Sequence, residues 1–240
     1  MSEFDSDDMV KALYGGALPP GQVALAMMTA DRLFPTRRVD NGAQTSPLPD
    51  GQPLPPLRVV SGDRAYDLVD YLALNRITGL LILHRGRILY EGYELGLQPM
   101  TCHASFSLAK SVCSTLIGCA LQDHVLTSLD QKLGYWLAEL RGSAYADVTL
   151  RALLAMRTGI KWDETYTRAD SDRRRFLEAQ LTRQPGSLIR FMADLTPRAG
   201  GDKAFNYSTG ETFLVGAVLE AATRSEEHTS ELQSHSFISY

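Results

Sequence analysis

The stretch that most restricts what this chain can fold into is Gly79-Leu80-Leu81-Ile82-Leu83-His84, Arg85-Gly86, Arg87-Ile88-Leu89-Tyr90-Glu91-Gly92-Tyr93. Two β-rich runs flank a turn that contains a glycine, and that order predicts a hairpin. It is the clearest strand signal in the sequence. A lone two-stranded hairpin is marginally stable in water, so at least three strands with helical cover are required. The other periodic segments read as helices, which predicts a mixed α/β architecture with an incomplete sheet. More strand is expected beyond Ala222, and the residues there carry no strand pattern.

Helical periodicity is read at residues 9–14, 67–74, about 107–125, 133–140, 149–156, 176–181, 188–195 and 213–222. Residues 1–60 are otherwise studded with Pro19, Pro20, Pro35, Pro47, Pro49, Pro53, Pro55 and Pro56. Prolines at that density deny continuous helix and central strand, so an extended arm or surface wrap is expected. The charge-dense stretch 164–175 reads as a solvated loop, with Tyr166 standing out in it.

At 240 residues the chain suits one domain or one and a half, and its net charge of −4 comes without a basic stripe. That balance argues against a nucleic-acid partner. Apolar runs break short of the roughly 18 residues a membrane span needs. Met1 to Asp8 is acidic where an export signal would be basic and then apolar. Cys102, Cys113 and Cys119 lack metal-ligand spacing, and they read as reduced packing residues of a cytoplasmic protein.

The chemistry is suggested at the start of the helix after the hairpin. Ser107 and Lys110 stand three apart, on one helical face, where their side chains can meet. A serine hydroxyl is a weak nucleophile until a base takes its proton. Lys110 can serve only where its ammonium form is disfavoured, and the apolar run 112–121 together with the helix N-terminus is expected to do this. The same spacing fits an N-capping serine, so it does not decide by itself. His103 is read as a local hydrogen-bonding residue, because Lys110 already fills the place of the base.

Three ordered blocks go further: Ser107-Leu108-Ala109-Lys110-Ser111, the run Gly142 to Ile160, and Phe205-x-Tyr207-Ser208-Thr209. Over residues 60–223 they resemble the serine β-lactamase-like hydrolases, in the class C-like branch that includes 6-aminohexanoate-dimer hydrolases and esterases. The resemblance implies an α/β, β-lactamase/transpeptidase-like fold: an antiparallel sheet flanked by helices plus a helical subdomain, here with the C-terminal strands missing. It implies that Ser107 forms an acyl-enzyme, that Lys110 assists it, and that Tyr207 relays the proton. The Ser107 N–H would be one half of an oxyanion hole. It also implies a substrate-facing Tyr166, a small-molecule amide or ester substrate, and neither metal nor organic cofactor. Thr209 stands where the family more often has Asn or Ser, and the family's later Lys/His-x-Gly block is absent from this sequence. A penicillin-binding-like peptidase or sensor, which would call for export or an anchor, and a non-catalytic binding module are the two rivals. Oligomeric state is not legible.

The last residues point to a different origin. Arg224 to Ser234 back-translates into a common short-read sequencing adapter, and Ile238 to Tyr240 fits the bases beyond the adapter's index. The expected layout is therefore a proline-rich arm at 1–60, a partial hydrolase domain at 61–223 and an artefactual tail at 224–240. Losing one oxyanion donor costs about 2.7–4 kcal/mol, so a chain of that layout is expected to be inactive.

Overall fold

The computed structural model describes residues 6–33, 36–39, 44 and 46–223, and the tail expected to be foreign lies outside them. In chain order the elements are α1 (Ser6–Tyr14), α2 (Pro20–Met28), α3 (Ala30–Leu33), β1 (Arg58–Ser61), β2 (Arg64–Asp67) and α4 (Leu68–Leu74). Then come β3 (Gly79–His84), β4 (Arg87–Tyr93), α5 (Leu108–Gln122), α6 (Leu133–Trp136), α7 (Leu150–Leu154), α8 (Asp172–Leu181), α9 (Ser187–Ala193) and α10 (Thr209–Thr223). The chain divides into two compact units, one of residues Leu18–Ala104 and one that joins Met1–Ala17 to Ser105–Tyr240.

The first of these holds β1 to β4, the strands found among the described residues. Arg85 and Gly86 both take positive φ, at 51° and 74°, as a two-residue hairpin turn requires. They join β3 to β4 antiparallel, from Gly79 opposite Tyr93 to His84 opposite Arg87, with a register shift between Ile82 and Leu83. The expected hairpin is present. Alongside β4, Gly51 N donates to Ile88 O at 2.8 Å and Leu54 N to Leu89 O at 3.0 Å, so the proline-rich segment is tied to the hairpin edge. A second antiparallel pair, β1 with β2, turns at Gly62 and feeds α4, whose start is capped by the Asp67 side chain accepting from Asp70 N at 2.8 Å. The segment before residue 60 departs from the extended arm expected of it, because α2 is a nine-residue helix. Its prolines stand at the N-cap (Pro19) and first turn (Pro20), where the missing N–H costs nothing and the fixed φ suits a helix.

The second unit is helical. α5 buries Ala109, Cys113, Ile117 and Ala120 along one stripe, whereas Leu108, Val112 and Leu116 on the other side are exposed. The run 112–121 is thus buried on one face only, and of the three cysteines expected to pack Cys113 is buried while Cys102 and Cys119 are exposed. α10 buries Leu214, Val215, Val218 and Ala222 at helical spacing and packs against α5, α6, α7 and α8. Leu133, Leu140, Tyr145, Leu150 and Leu153 complete the core between them. Gly210 allows the close approach at the start of α10, since a Cβ there would lie 2.9 Å from Trp162 Cζ3 and nearer still to Met192. The charged stretch before α8 is not a solvated loop throughout: Ser171 caps that helix by accepting from Arg174 N, and Ser171 and Arg173 are buried. Among the described residues, no helix is long and apolar enough to cross a membrane.

Within this core sits a carboxylate. Glu211, 2% exposed, accepts from the Thr158 and Tyr145 hydroxyls through Oε1, while Oε2 is buried without a hydrogen-bond partner. Burial pushes its pKa up from 4.5 to about 7, against the lowering influence of Thr158, Tyr145 and Arg198. A carboxyl raised in this way favours the fold while protonated. Its contribution is complete below the unfolded value and fades as pH climbs through the folded one. Stability is therefore expected to fall from pH 4.5 to pH 7 by on the order of 2 kcal/mol on account of this residue, and Glu211→Gln should flatten that slope in urea denaturation series.

Candidate active site

The site begins with a strained turn. Phe106 has φ of 45°, a left-handed conformation that costs a residue with a Cβ roughly 1–2 kcal/mol. It delivers Ser107 to the N-cap of α5 with helical angles, φ −66° and ψ −7°, and the serine side chain makes no capping hydrogen bond. The capping alternative left open by the spacing is therefore not what this hydroxyl does. Lys110, one turn along α5, places Nζ 3.3 Å from Ser107 Oγ. Lys110 is half-buried, not enclosed, and Ser107 is exposed.

Tyr207 arrives from a hundred residues downstream, just before α10, and its hydroxyl donates to Ser107 Oγ at 2.7 Å. Lys110 Nζ also lies 5.1 Å from the centre of the Tyr207 ring, within cation–π range. The backbone around Tyr207 is held on both sides. Asn206 N donates to Met156 O at 2.9 Å and Asn206 Nδ2 to Trp162 O at 3.1 Å. Beyond it, Thr209 N donates to Glu164 Oε2 at 2.9 Å, and the Thr209 hydroxyl donates to Glu164 Oε1. The unusual threonine of the tyrosine block thus turns its hydroxyl to Glu164.

Glu164 also accepts from Trp162 Nε1 and from the Tyr166 hydroxyl, the latter at 3.2 Å. One carboxylate therefore gathers the loop 162–166 and the start of α10. The Tyr166 contacts lie in this second group, linked to the Ser107 trio through Glu164 and Thr209. Its ring is parallel to that of Tyr14, and the Arg173 guanidinium carbon stands 5.2 Å from its centre. Burial, and then the Glu164 charge, raise the Tyr166 pKa above the usual phenol value. The sequence singles out none of Glu164, Arg173 and Tyr14. Ser171-Asp172 is a helix-start signature that would have put Arg173 in a first turn and not in solvent. His103 bonds locally through Nδ1, 3.0 Å from Ala104 O, as expected, whereas its Nε2 lies 3.3 Å from Thr78 Oγ1, 25 positions earlier in the chain.

Comparison with known proteins assigns the chain to a family. The Beta-lactamase family profile matches residues 71–233, more than half of the chain. The chain belongs to the Beta-lactamase family. Among curated relatives, the 6-aminohexanoate-dimer hydrolase of Paenarthrobacter ureafaciens is 26% identical over 196 residues, which are 80% of this chain and 48% of that protein. A solved structure described as "Putative 6-aminohexanoate-dimer hydrolase from Bacillus anthracis" superposes with a TM-score of 0.74 at 18% identity, covering 85% of this chain and 56% of the other. The β-lactamase/transpeptidase-like fold expected from sequence is thereby established. The chain spans about half the length of the curated relative it matches. Ser107, Lys110 and Tyr207 fall inside the residues matched by the Beta-lactamase family, and Tyr14 falls outside them.

Four donors converge on the Glu164 carboxylate, so an apolar replacement leaves all of them unpaired in a half-buried setting. Glu164→Leu is expected to lower the unfolding free energy by about 2–3 kcal/mol, read by equilibrium denaturation.

Proposed function

We propose that this chain carries the catalytic centre of a serine hydrolase that cleaves a small-molecule amide or ester through an acyl-enzyme. The observation that carries this reading is the convergence of the Tyr207 hydroxyl and Lys110 Nζ on Ser107 Oγ, at 2.7 and 3.3 Å. In its neutral form Lys110 takes the hydroxyl proton as Ser107 Oγ bonds to the substrate carbonyl carbon. The carbonyl oxygen becomes an oxyanion, to which the Ser107 N–H donates. Tyr207 then gives its proton to the leaving nitrogen or oxygen as that bond breaks, and Lys110 returns a proton to the phenolate. Water attacks the resulting ester of Ser107 with the same groups acting in reverse, releasing the acid and restoring the hydroxyl. The name of the Paenarthrobacter relative, a hydrolase of a 6-aminohexanoate dimer, supports an amide as the first substrate to try.

The test uses protein expressed from the complete coding sequence of the gene. A fluorophosphonate is expected to label it with one equivalent, and Ser107→Ala to abolish both labelling and p-nitrophenyl ester turnover. Lys110→Met and Tyr207→Phe should each lower turnover by about 10²-fold or more while the melting midpoint is kept. Labelling that survives Ser107→Ala would overturn the assignment of the nucleophile. No labelling of the parent protein would leave the binding-module reading in its place.

A further inference from the structure

The last residue of α1 touches both halves of the site without belonging to either. Tyr14 is 7% exposed. Its ring stacks on Phe106, with centroids 5.5 Å apart and planes inclined by 28°. It also runs parallel to Tyr166, with centroids 6.3 Å apart and planes within 10°. One side chain thus contacts the residue that precedes Ser107 and the aromatic that resemblance marks as facing substrate.

Arg173 closes this group, with its guanidinium carbon 4.6 Å from the Tyr14 ring centre and 5.2 Å from that of Tyr166. Its buried Nε and Nη1 make no close hydrogen bond, the Glu164 carboxylate oxygen stands 4.0 Å from Nε, and the guanidinium also bears on the hydroxyls of Tyr14 and Tyr166. The two ring faces are therefore a main part of what holds this cation. α1 is itself docked and does not dangle: Val10 is fully buried, Lys11 pairs with Glu178 at 3.1 Å, and Asp7 pairs with Arg183 at 2.7 Å.

We propose that Tyr14 is a positioning residue of the Ser107 site, in which its ring face holds Phe106 in the left-handed conformation and sets where Tyr166 stands. An aromatic residue keeps positive φ only where its surroundings leave it no alternative, and the Tyr14 ring is the aromatic surface pressed against it. Freed from that surface, Phe106 relaxes toward negative φ. The Ser107 N–H and Oγ, one peptide further on, then move relative to Lys110 and Tyr207. Tyr166 loses its support at the same time. The family assignment does not account for this role, because α1 lies before the matched residues. The proposal rests on Ser107 being the nucleophile.

The experiment compares Tyr14→Leu, Tyr14→Phe, Arg173→Leu and, as a stability control, Leu150→Ala, in protein made from the complete coding sequence. Each is followed by the rate of fluorophosphonate acylation at Ser107, by ester kcat and KM, and by melting midpoint. Tyr14→Leu, which keeps apolar volume but removes the ring, is expected to slow acylation about tenfold or more, as small misplacements of a reacting group do. Tyr14→Phe should retain at least about half the parent rate, because the stack needs the ring and not the hydroxyl. Arg173→Leu should raise KM about threefold or more through Tyr166, and Leu150→Ala should lower the melting midpoint without slowing acylation. Acylation of Tyr14→Leu within about twofold of the parent would sink the proposal, as would Tyr14→Phe being equally slow. If Tyr14→Leu does not fold, an unchanged KM in Arg173→Leu sinks it instead. A parent that is not labelled at all removes the Ser107 reading and this role together, whereas a labelled parent with indifferent Tyr14 variants removes this role alone.

Discussion

Everything in the site depends on α5 and α10 lying against each other. Cys113 and Ile117 of one helix and Leu214, Val215 and Val218 of the other share a single buried cluster. No local force relates residue 107 to residue 207. The apolar stripes do so, because each helix can hide its stripe only by packing, and the hydrogen bond at the tips is a by-product of that packing. Ser107 and Tyr207 each stand within two residues of the first turn of a fifteen-residue helix. Two positive helix ends are thereby brought near the oxygen on which negative charge develops in the proposed reaction.

Glu164 does for the loops what the core does for the helices. The tyrosine block precedes α10 and has no regular structure of its own, so packing alone would leave it free to slide. A carboxylate with two acceptor oxygens can take backbone and side-chain donors at once, and here it binds both those of Thr209. Hydrogen bonds to an ionised acceptor are worth more than neutral ones, which suits a residue that must fix a loop without a helix to help it. The same carboxylate lies at the edge of the aromatic and arginine cluster, so the positions of Tyr166 and Tyr207 are set by one group.

Sequence makes legible what is periodic or adjacent. The β3–β4 hairpin, the stripes of α5 and α10, and the pairing of Ser107 with Lys110 all arise from spacing within a few residues. Tyr207 is reachable only through the resemblance of its block, and the Tyr166 contacts lie with Glu164 and Arg173. What escapes is decided by position in the fold. Pro19 and Pro20 read as breakers in the sequence, although prolines at a helix start are compatible with it. The β1–β2 pair leaves little pattern because its strands are four residues each and mostly exposed. Arg173 looks like a solvated charge, since the two tyrosine rings that enclose it come from other parts of the sequence. Cys119 falls in an apolar run but on the outer side of α5, a distinction that depends on which face the neighbours cover.

The salt bridge between Asp7 and Arg183 joins residues 176 positions apart, and Leu18–Ala104 lies between them in sequence. At a ribosomal pace of roughly 5–20 residues per second, α1 leaves the exit tunnel on the order of ten to thirty seconds before α8 does. Through that interval Lys11 and Asp7 lack their partners Glu178 and Arg183, although Phe106, on which Tyr14 stacks, has already been made, and Leu18–Ala104 can form its two hairpins. The packing of α1 is therefore completed only late in synthesis, after the segment that follows it in sequence has already been made.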